Sequence, residues 1–163
     1  AAAAYYSLGN ALTRTGRASE AIHEYEAALR INPDYVEAHT NLGAALFLTG
    51  RNSKAINEYE QALQIDPDYA QANSNLGTAL VQTGRASEAV AHFKHALRIN
   101  PGSADTHNNL GVALGQIGRI SEGIEQLKAA MRINPYNIDA RNNLEKLEAL
   151  QKTAPAKIDS LKR

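Results

Sequence analysis

Asn41, Asn75, Asn109 and Asn143 stand 34 residues apart, and Ser7 falls one interval earlier. A carboxamide carries donors and an acceptor on one group, which matches the C=O and N–H of a peptide unit. A row of them could hold an extended chain through its backbone, with little dependence on that chain's sequence. Two bland uses stay open beside this one: the asparagines could bond to neighbouring helices, or merely open a recurrent local form. His92 and His95 are spaced H-x-x-H, close enough on a helix to share a metal. No cysteine or third ligand stands beside them, so they read as surface histidines. Carboxylates are scattered without a paired site, and no glycine-rich loop follows a strand. The residues call for no active site, no metal and no cofactor, and the chain reads as non-enzymatic.

Bulk properties narrow the partners. Lys plus Arg and Asp plus Glu both count 17 in 163 residues, so no net field draws the chain to nucleic acid or to an anionic membrane. The composition, 44% hydrophobic and 21% charged, is that of an ordinary folding sequence. Its longest apolar stretches fall far short of the roughly 20 residues that cross a bilayer. The lack of cysteine leaves the compartment unreadable, with the cytoplasm as default. Ala1 to Ala4 carry no weight.

The elements that must position the asparagines emerge from self-alignment. SLGNAL, NLGAAL, NLGTAL and NLGVAL place Gly9, Gly43, Gly77 and Gly111 at the same period of 34. Pro33, Pro67, Pro101 and Pro135 keep that period, and so do the turn glycines Gly16, Gly50, Gly84 and Gly118. Within a unit, apolar residues take helical spacing twice, first as Leu42, Gly43 and Leu46, then as Ala55, Ile56, Tyr59, Ala62 and Leu63. Each unit is therefore two helices with a glycine turn between them. Ser19, Ser53, Ser87 and Ser121 are expected to cap the second helices, and each proline to end its unit. The glycine after leucine has a packing reason: it lets Tyr25, Tyr59 or Phe93 approach the first helix's backbone.

These features resemble the tetratricopeptide repeat family, whose pattern W-x2-L-G-x2-Y, A-x3-F, P has this length. Leu42 and Gly43 match L-G, Ala55 and Tyr59 match A-x3-F, and Pro67 matches P; Ala89, Phe93 and Pro101 repeat the match. Tyr5, His39, Asn73 and His107 replace the tryptophan, leucine replaces the tyrosine, and Gly123 with Leu127 is expected to loosen the fourth unit. The resemblance implies an all-α, right-handed superhelical solenoid of antiparallel helix pairs. Its four units are 2–35, 36–69, 70–103 and 104–137, with a capping helix at 138–152 and a loose basic tail at 153–163.

In that family the first helices line a concave wall, and the resemblance puts the asparagine row there. The row is similar to those in the superhelices of O-linked N-acetylglucosamine transferase and the peroxisomal import receptor, and to bacterial members of the family. The expected groove comprises Asn10, Asn41, Asn75, Asn109, Asn143, Asn108, Phe47, Leu48 and Arg14. Glu37, Gln71, Asp105 and Asp139 make one edge mildly acidic. Phe47 and Leu48 could instead pack between units. The family's carboxylate clamp for chaperone tails needs three cations, and Tyr6 and Gln71 are among the residues that replace them, so that ligand is not expected. The expected partner is an extended protein segment. Alternatives are a substrate-recruiting array of a larger enzyme, such as an O-linked glycosyltransferase, and a homo-oligomer stacked through an uncapped first unit with Tyr5, Leu8 and Leu12.

Overall fold

A computed structural model describes the backbone of residues 1–160 and the side chains of residues 1–153. Among the described residues there are nine helices and no strand: α1 (Ala2–Arg14), α2 (Ala18–Ile31), α3 (Val36–Leu48), α4 (Asn52–Ile65), α5 (Ala70–Gln82), α6 (Ala86–Ile99), α7 (Ala104–Gln116), α8 (Ile120–Ile133) and α9 (Ile138–Ser160). Helices pack in consecutive pairs, and each pair packs on the next, giving an all-α helical-repeat solenoid. None of these helices is long and apolar enough to cross a membrane.

The turn inside each pair is made by glycine. Gly50 has φ +77, the left-handed conformation that side chains disfavour. Around it the Arg51 N–H donates to the Leu46 carbonyl at 2.8 Å and the Gly50 N–H to that of Phe47 at 3.0 Å, closing the end of α3. The expected serine caps do not form. The chain enters the second helices two residues earlier, so Ser19, Ser53, Ser87 and Ser121 lie inside them and Arg17, Arg51, Arg85 and Arg119 hold the boundary. Three of these arginines fork onto the glutamate three residues on, as Arg17 does onto Glu20 at 2.7 and 2.5 Å. The pairs are exposed and contribute little. Ser103, before α7, is the serine that does cap, accepting from the Thr106 N–H.

The core runs the length of the array. Fully buried alanines, among them Ala21, Ala55, Ala79 and Ala113, let the helices approach, and Tyr25, Tyr59 and Phe93 fill the space between members of a pair. A Cβ placed on Gly43 would stand 2.6 Å from the Tyr59 ring, and Gly9 and Gly77 meet Tyr25 and Phe93 in the same way. The fourth unit is not loose. Leu127 is fully buried, Leu147 of α9 lies against Gly115 and Gly123, and a Cβ on Gly123 would stand 2.9 Å from the Gly111 carbonyl oxygen. With both residues glycine, the backbones close the gap that the missing ring would have left. Helix α9 also runs past residue 152 to Ser160, because no glycine stop follows Leu150; residues 161–163 of the expected tail lie outside the described residues.

The position held by tryptophan in the family pattern has a polar use here. His39 Nε2, Asn73 Nδ2, His107 Nε2 and Arg141 Nη2 each donate to the carbonyl of Pro33, Pro67, Pro101 or Pro135, six residues earlier, at 2.9–3.1 Å. Each pins the turn that joins successive units. The other ends of three braces reach the following helix: His39 Nδ1 to Glu58 at 2.8 Å, Asn73 Oδ1 to His92 at 3.1 Å, and His107 Nδ1 to Gln126 at 2.8 Å.

Two predictions follow from this packing. Gly43→Ala gains about 1 kcal/mol of helix propensity but drives a methyl into an immobile ring, so a net loss of about 1–2 kcal/mol is expected in urea unfolding. His39 meets two acceptors, a carboxylate and a carbonyl, which only the imidazolium satisfies. Its hydrogen bond to Glu58, opposed by burial, raises its pKa above the ordinary 6.5. The resulting stability is full below the ordinary value and lost as pH rises through the raised one, so urea midpoints should fall as the pH is raised from the ordinary histidine range. Glu58→Gln should flatten that slope.

Candidate functional site

The L-G glycines bring the first helices close to their partners and leave one face of α1, α3, α5 and α7 lined with polar side chains. A hollow of about 420 Å³ opens between α5 and α7, lined by Gln71, Ser74, Asn75, Thr78, Asp105 and Asn109 together with Asn100, Ser103 and Thr106. Asp105 is the one charged residue in that lining. A second hollow, of about 360 Å³, is lined by Asn10, Thr13, Arg14, Tyr25, Asn41 and Ala44. Helical spacing thus gathers Asn10, Asn41 and Arg14 at one hollow and Asn75 and Asn109 at the other.

The asparagines are not equivalent. Asn41 donates to the Tyr6 hydroxyl at 3.1 Å and to Asn10 Oδ1 at 2.8 Å, and the Tyr25 hydroxyl donates to the same Asn10 oxygen at 2.8 Å. Thr13 completes this cluster, 3.2 Å from the Tyr25 oxygen. Asn109 donates to Thr78 Oγ1 at 3.2 Å and accepts from Asn108 at 3.1 Å. Asn143 donates to Asn108 Oδ1 at 3.0 Å. Most of the row is therefore bonded along the solenoid, as one of the alternatives at the sequence level held. Asn75, half-buried at the wall of the larger hollow, has no side-chain hydrogen bond to another described residue.

The apolar part of the expected groove divides. Phe47 and Val81 are partly buried and pack against the core, while Leu48 is 67% exposed at the end of α3. Of the small polar residues flanking the row, Thr40 is buried at 1% exposure with its hydroxyl donating to the Val36 carbonyl, so it lines nothing. In the first unit, Tyr5 and Leu8 are exposed, but Leu12 belongs to the core. Tyr6 is covered by the tilted rings of Tyr25 and Tyr35, with centroids at 6.1 and 4.9 Å.

The histidine pair is occupied. His92 Nδ1 donates to Asn73, His95 Nε2 donates to Asp68 at 2.8 Å, and Arg98 donates to His95 Nδ1. Burial lowers the His92 pKa, which favours the neutral ring. Among the described residues no group of three or more His, Asp or Glu converges as a metal would require.

One contributor escaped the sequence reading: the Tyr25 hydroxyl, taken only as part of a ring. Reading across units at offsets of 31 and 35, rather than down one column, would have paired Asn41 with Asn10 and Tyr6.

A solenoid of stacked helix pairs with a polar wall on its first helices is a protein–protein interaction scaffold. Family profiles agree: one described as TPR repeat matches residues 9–50, 45–84 and 77–118, and one described as tetratricopeptide repeat matches 104–137. The chain belongs to the tetratricopeptide repeat family. Solved structures of similar fold include MamA from residue 41 to its end, from Desulfovibrio magneticus RS-1, with TM-score 0.85 and 19% identity over 99% of this chain and 91% of that one. Another is YrrB, described as a TPR protein with an unusual peptide-binding site, with TM-score 0.78 and 21% identity over 92% and 77%. A chain of the APC/C hetero-tetramer Cut9–Hcn1 has TM-score 0.82 and 19% identity, with 88% of this chain covering 29% of that one. At these identities the likeness is one of fold. No curated protein matches the chain.

The inequality of the row has a measurable consequence. Asn10→Ala removes an acceptor shared by two donors and should cost about 1–2 kcal/mol in urea unfolding. Asn75→Ala breaks no internal bond and should stay within about 0.5 kcal/mol of the parent.

Proposed function

We propose that the chain binds an extended segment of another protein along the wall formed by its first helices. The observation that carries this reading is the row of carboxamides at one register, with donors and acceptors left over after the internal bonds are counted. Asn41 uses its N–H groups internally and keeps its carbonyl; Asn75 keeps its whole amide. Such groups match peptide units in any extended chain. The hollow beside Asn75 is polar and carries one negative charge, which favours a polar or basic side chain of the ligand over an apolar one. Leu48 is the exposed apolar neighbour from which an anchoring contact could come.

A substrate-recruiting array in a larger enzyme, as in the O-linked glycosyltransferases whose asparagine row this one resembles, would use the same contacts. It is favoured only if the full-length gene product carries a catalytic domain.

A selection from a displayed peptide library against the purified chain tests the binding reading. Enriched peptides should bind the parent and lose at least roughly tenfold in affinity for the Asn75→Ala/Asn109→Ala double variant, the effect of removing one or two peptide-backbone hydrogen bonds. Helicity should be kept in that variant and melting should fall only modestly, through the lost bonds of Asn109 to Thr78 and Asn108. A folded parent that enriches no peptide would remove the groove reading.

A further inference from the structure

Each asparagine of the row faces two positions in the preceding unit, 31 and 35 residues earlier. Asn41 finds Asn10 and Tyr6 there and bonds to both. Asn109 finds Thr78 at the first, and Asn143 finds Asn108 at the second. Asn75 finds neither. Its first position is Ala44, which has no polar side-chain atom, and its second is Thr40, whose buried hydroxyl is turned onto the Val36 carbonyl at 2.9 Å.

Ala44 leaves a second group bare as well. Tyr25 and Tyr59 sit identically over Gly9 and Gly43, with the ring at 2.6 Å from the position of an added Cβ in both. The Tyr25 hydroxyl is held by Asn10 and Thr13. The residues one unit on, beside Tyr59, are Ala44 and Phe47, and the Tyr59 hydroxyl has no hydrogen-bond partner among the described residues. Tyr59 is only 2% exposed, yet no fully buried side-chain oxygen or nitrogen in the described structure lacks a partner. The hydroxyl oxygen must therefore reach solvent, and by the repeat it faces Ala44 and Asn75 as the Tyr25 hydroxyl faces Asn10 and Asn41. Burial holds this phenol protonated, so it remains a donor.

We propose that Asn75 and the Tyr59 hydroxyl, left open by Ala44, form the rung at which a bound extended polypeptide is anchored through its backbone. The proposal rests on the groove reading above and narrows it to one place in the array. The Asn75 Oδ1 accepts a backbone N–H, and the Asn75 amide and the Tyr59 hydroxyl donate to backbone carbonyls. Rungs at Asn41, Asn109 and Asn143 are closed in part by the chain's own side chains and contribute less. An unpaired donor and amide half sheltered from water gain more from a ligand than groups already bonded. The charge balance of the chain supplies no competing pull toward a nucleic acid.

Ala44→Asn tests this, since it offers the acceptor that Asn10 provides in the first unit and should close the rung. The probe is the most enriched peptide from a displayed random library selected on the parent, synthesised and titrated by calorimetry. The expected result is a melting temperature at or above the parent's and an affinity at least tenfold weaker. Tyr59→Phe, which removes only the oxygen, should weaken the same peptide severalfold without loss of melting temperature, and it serves should Ala44→Asn fail to fold. Peptide binding unchanged in both variants would overturn the open rung while leaving the groove reading intact. A folded parent that selects no peptide would overturn both.

Discussion

The contact on which the rest depends is a ring laid against a glycine. Tyr25 over Gly9, Tyr59 over Gly43 and Phe93 over Gly77 let two helices approach until a single added methyl would overlap the ring. That closeness fixes the separation of helices within a pair, and repetition at a constant interval turns it into a solenoid in which every first helix presents the same face. The fourth unit reaches a comparable closeness by another route, with Gly111 and Gly123 bringing backbones together and Leu147 from α9 filling in. One geometric requirement is thus met by two kinds of side chain.

Polar groups then build on that spacing in two layers. Where successive units join, His39, Asn73, His107 and Arg141 tie the proline turns back to their own helices. On the wall of the first helices, amides and hydroxyls from neighbouring units come within hydrogen-bonding distance of each other because the units stack in strict register. The second layer serves two purposes at once. A bond from Asn41 to Asn10 supports the stack, whereas an amide with no internal partner remains for a ligand. Stability and binding compete for the same groups, and the residues 31 and 35 positions earlier decide which wins.

Much of this architecture was legible beforehand, for physical reasons. Helix pairs, their turns and the role of the L-G glycine follow from local periodicity and from steric rules that a repeated sequence states several times. Gly50 needed a left-handed φ, and it has one. Local rules failed where two options lay two residues apart: Ser19 and its counterparts are good caps, but the turn delivers the chain into the helix at Ala18, and arginine takes the boundary. Phe47 looked like a groove anchor until its neighbours were known, because a side chain near the end of a helix can lean to core or to solvent.

By itself the sequence determined the repeat length, the all-α class, the family and the face on which the asparagines stand, since each is a matter of periodicity along one chain. Only the tertiary structure decided which of those asparagines are spent internally. That choice depends on pairs 31 or 35 residues apart, brought together by stacking, and on the rotation of individual hydroxyls such as that of Thr40 toward its own helix. A column of identical residues carries no sign of its members' partners; the four asparagines that read as one ladder become three partly closed rungs and one open one only when the neighbouring unit is in place.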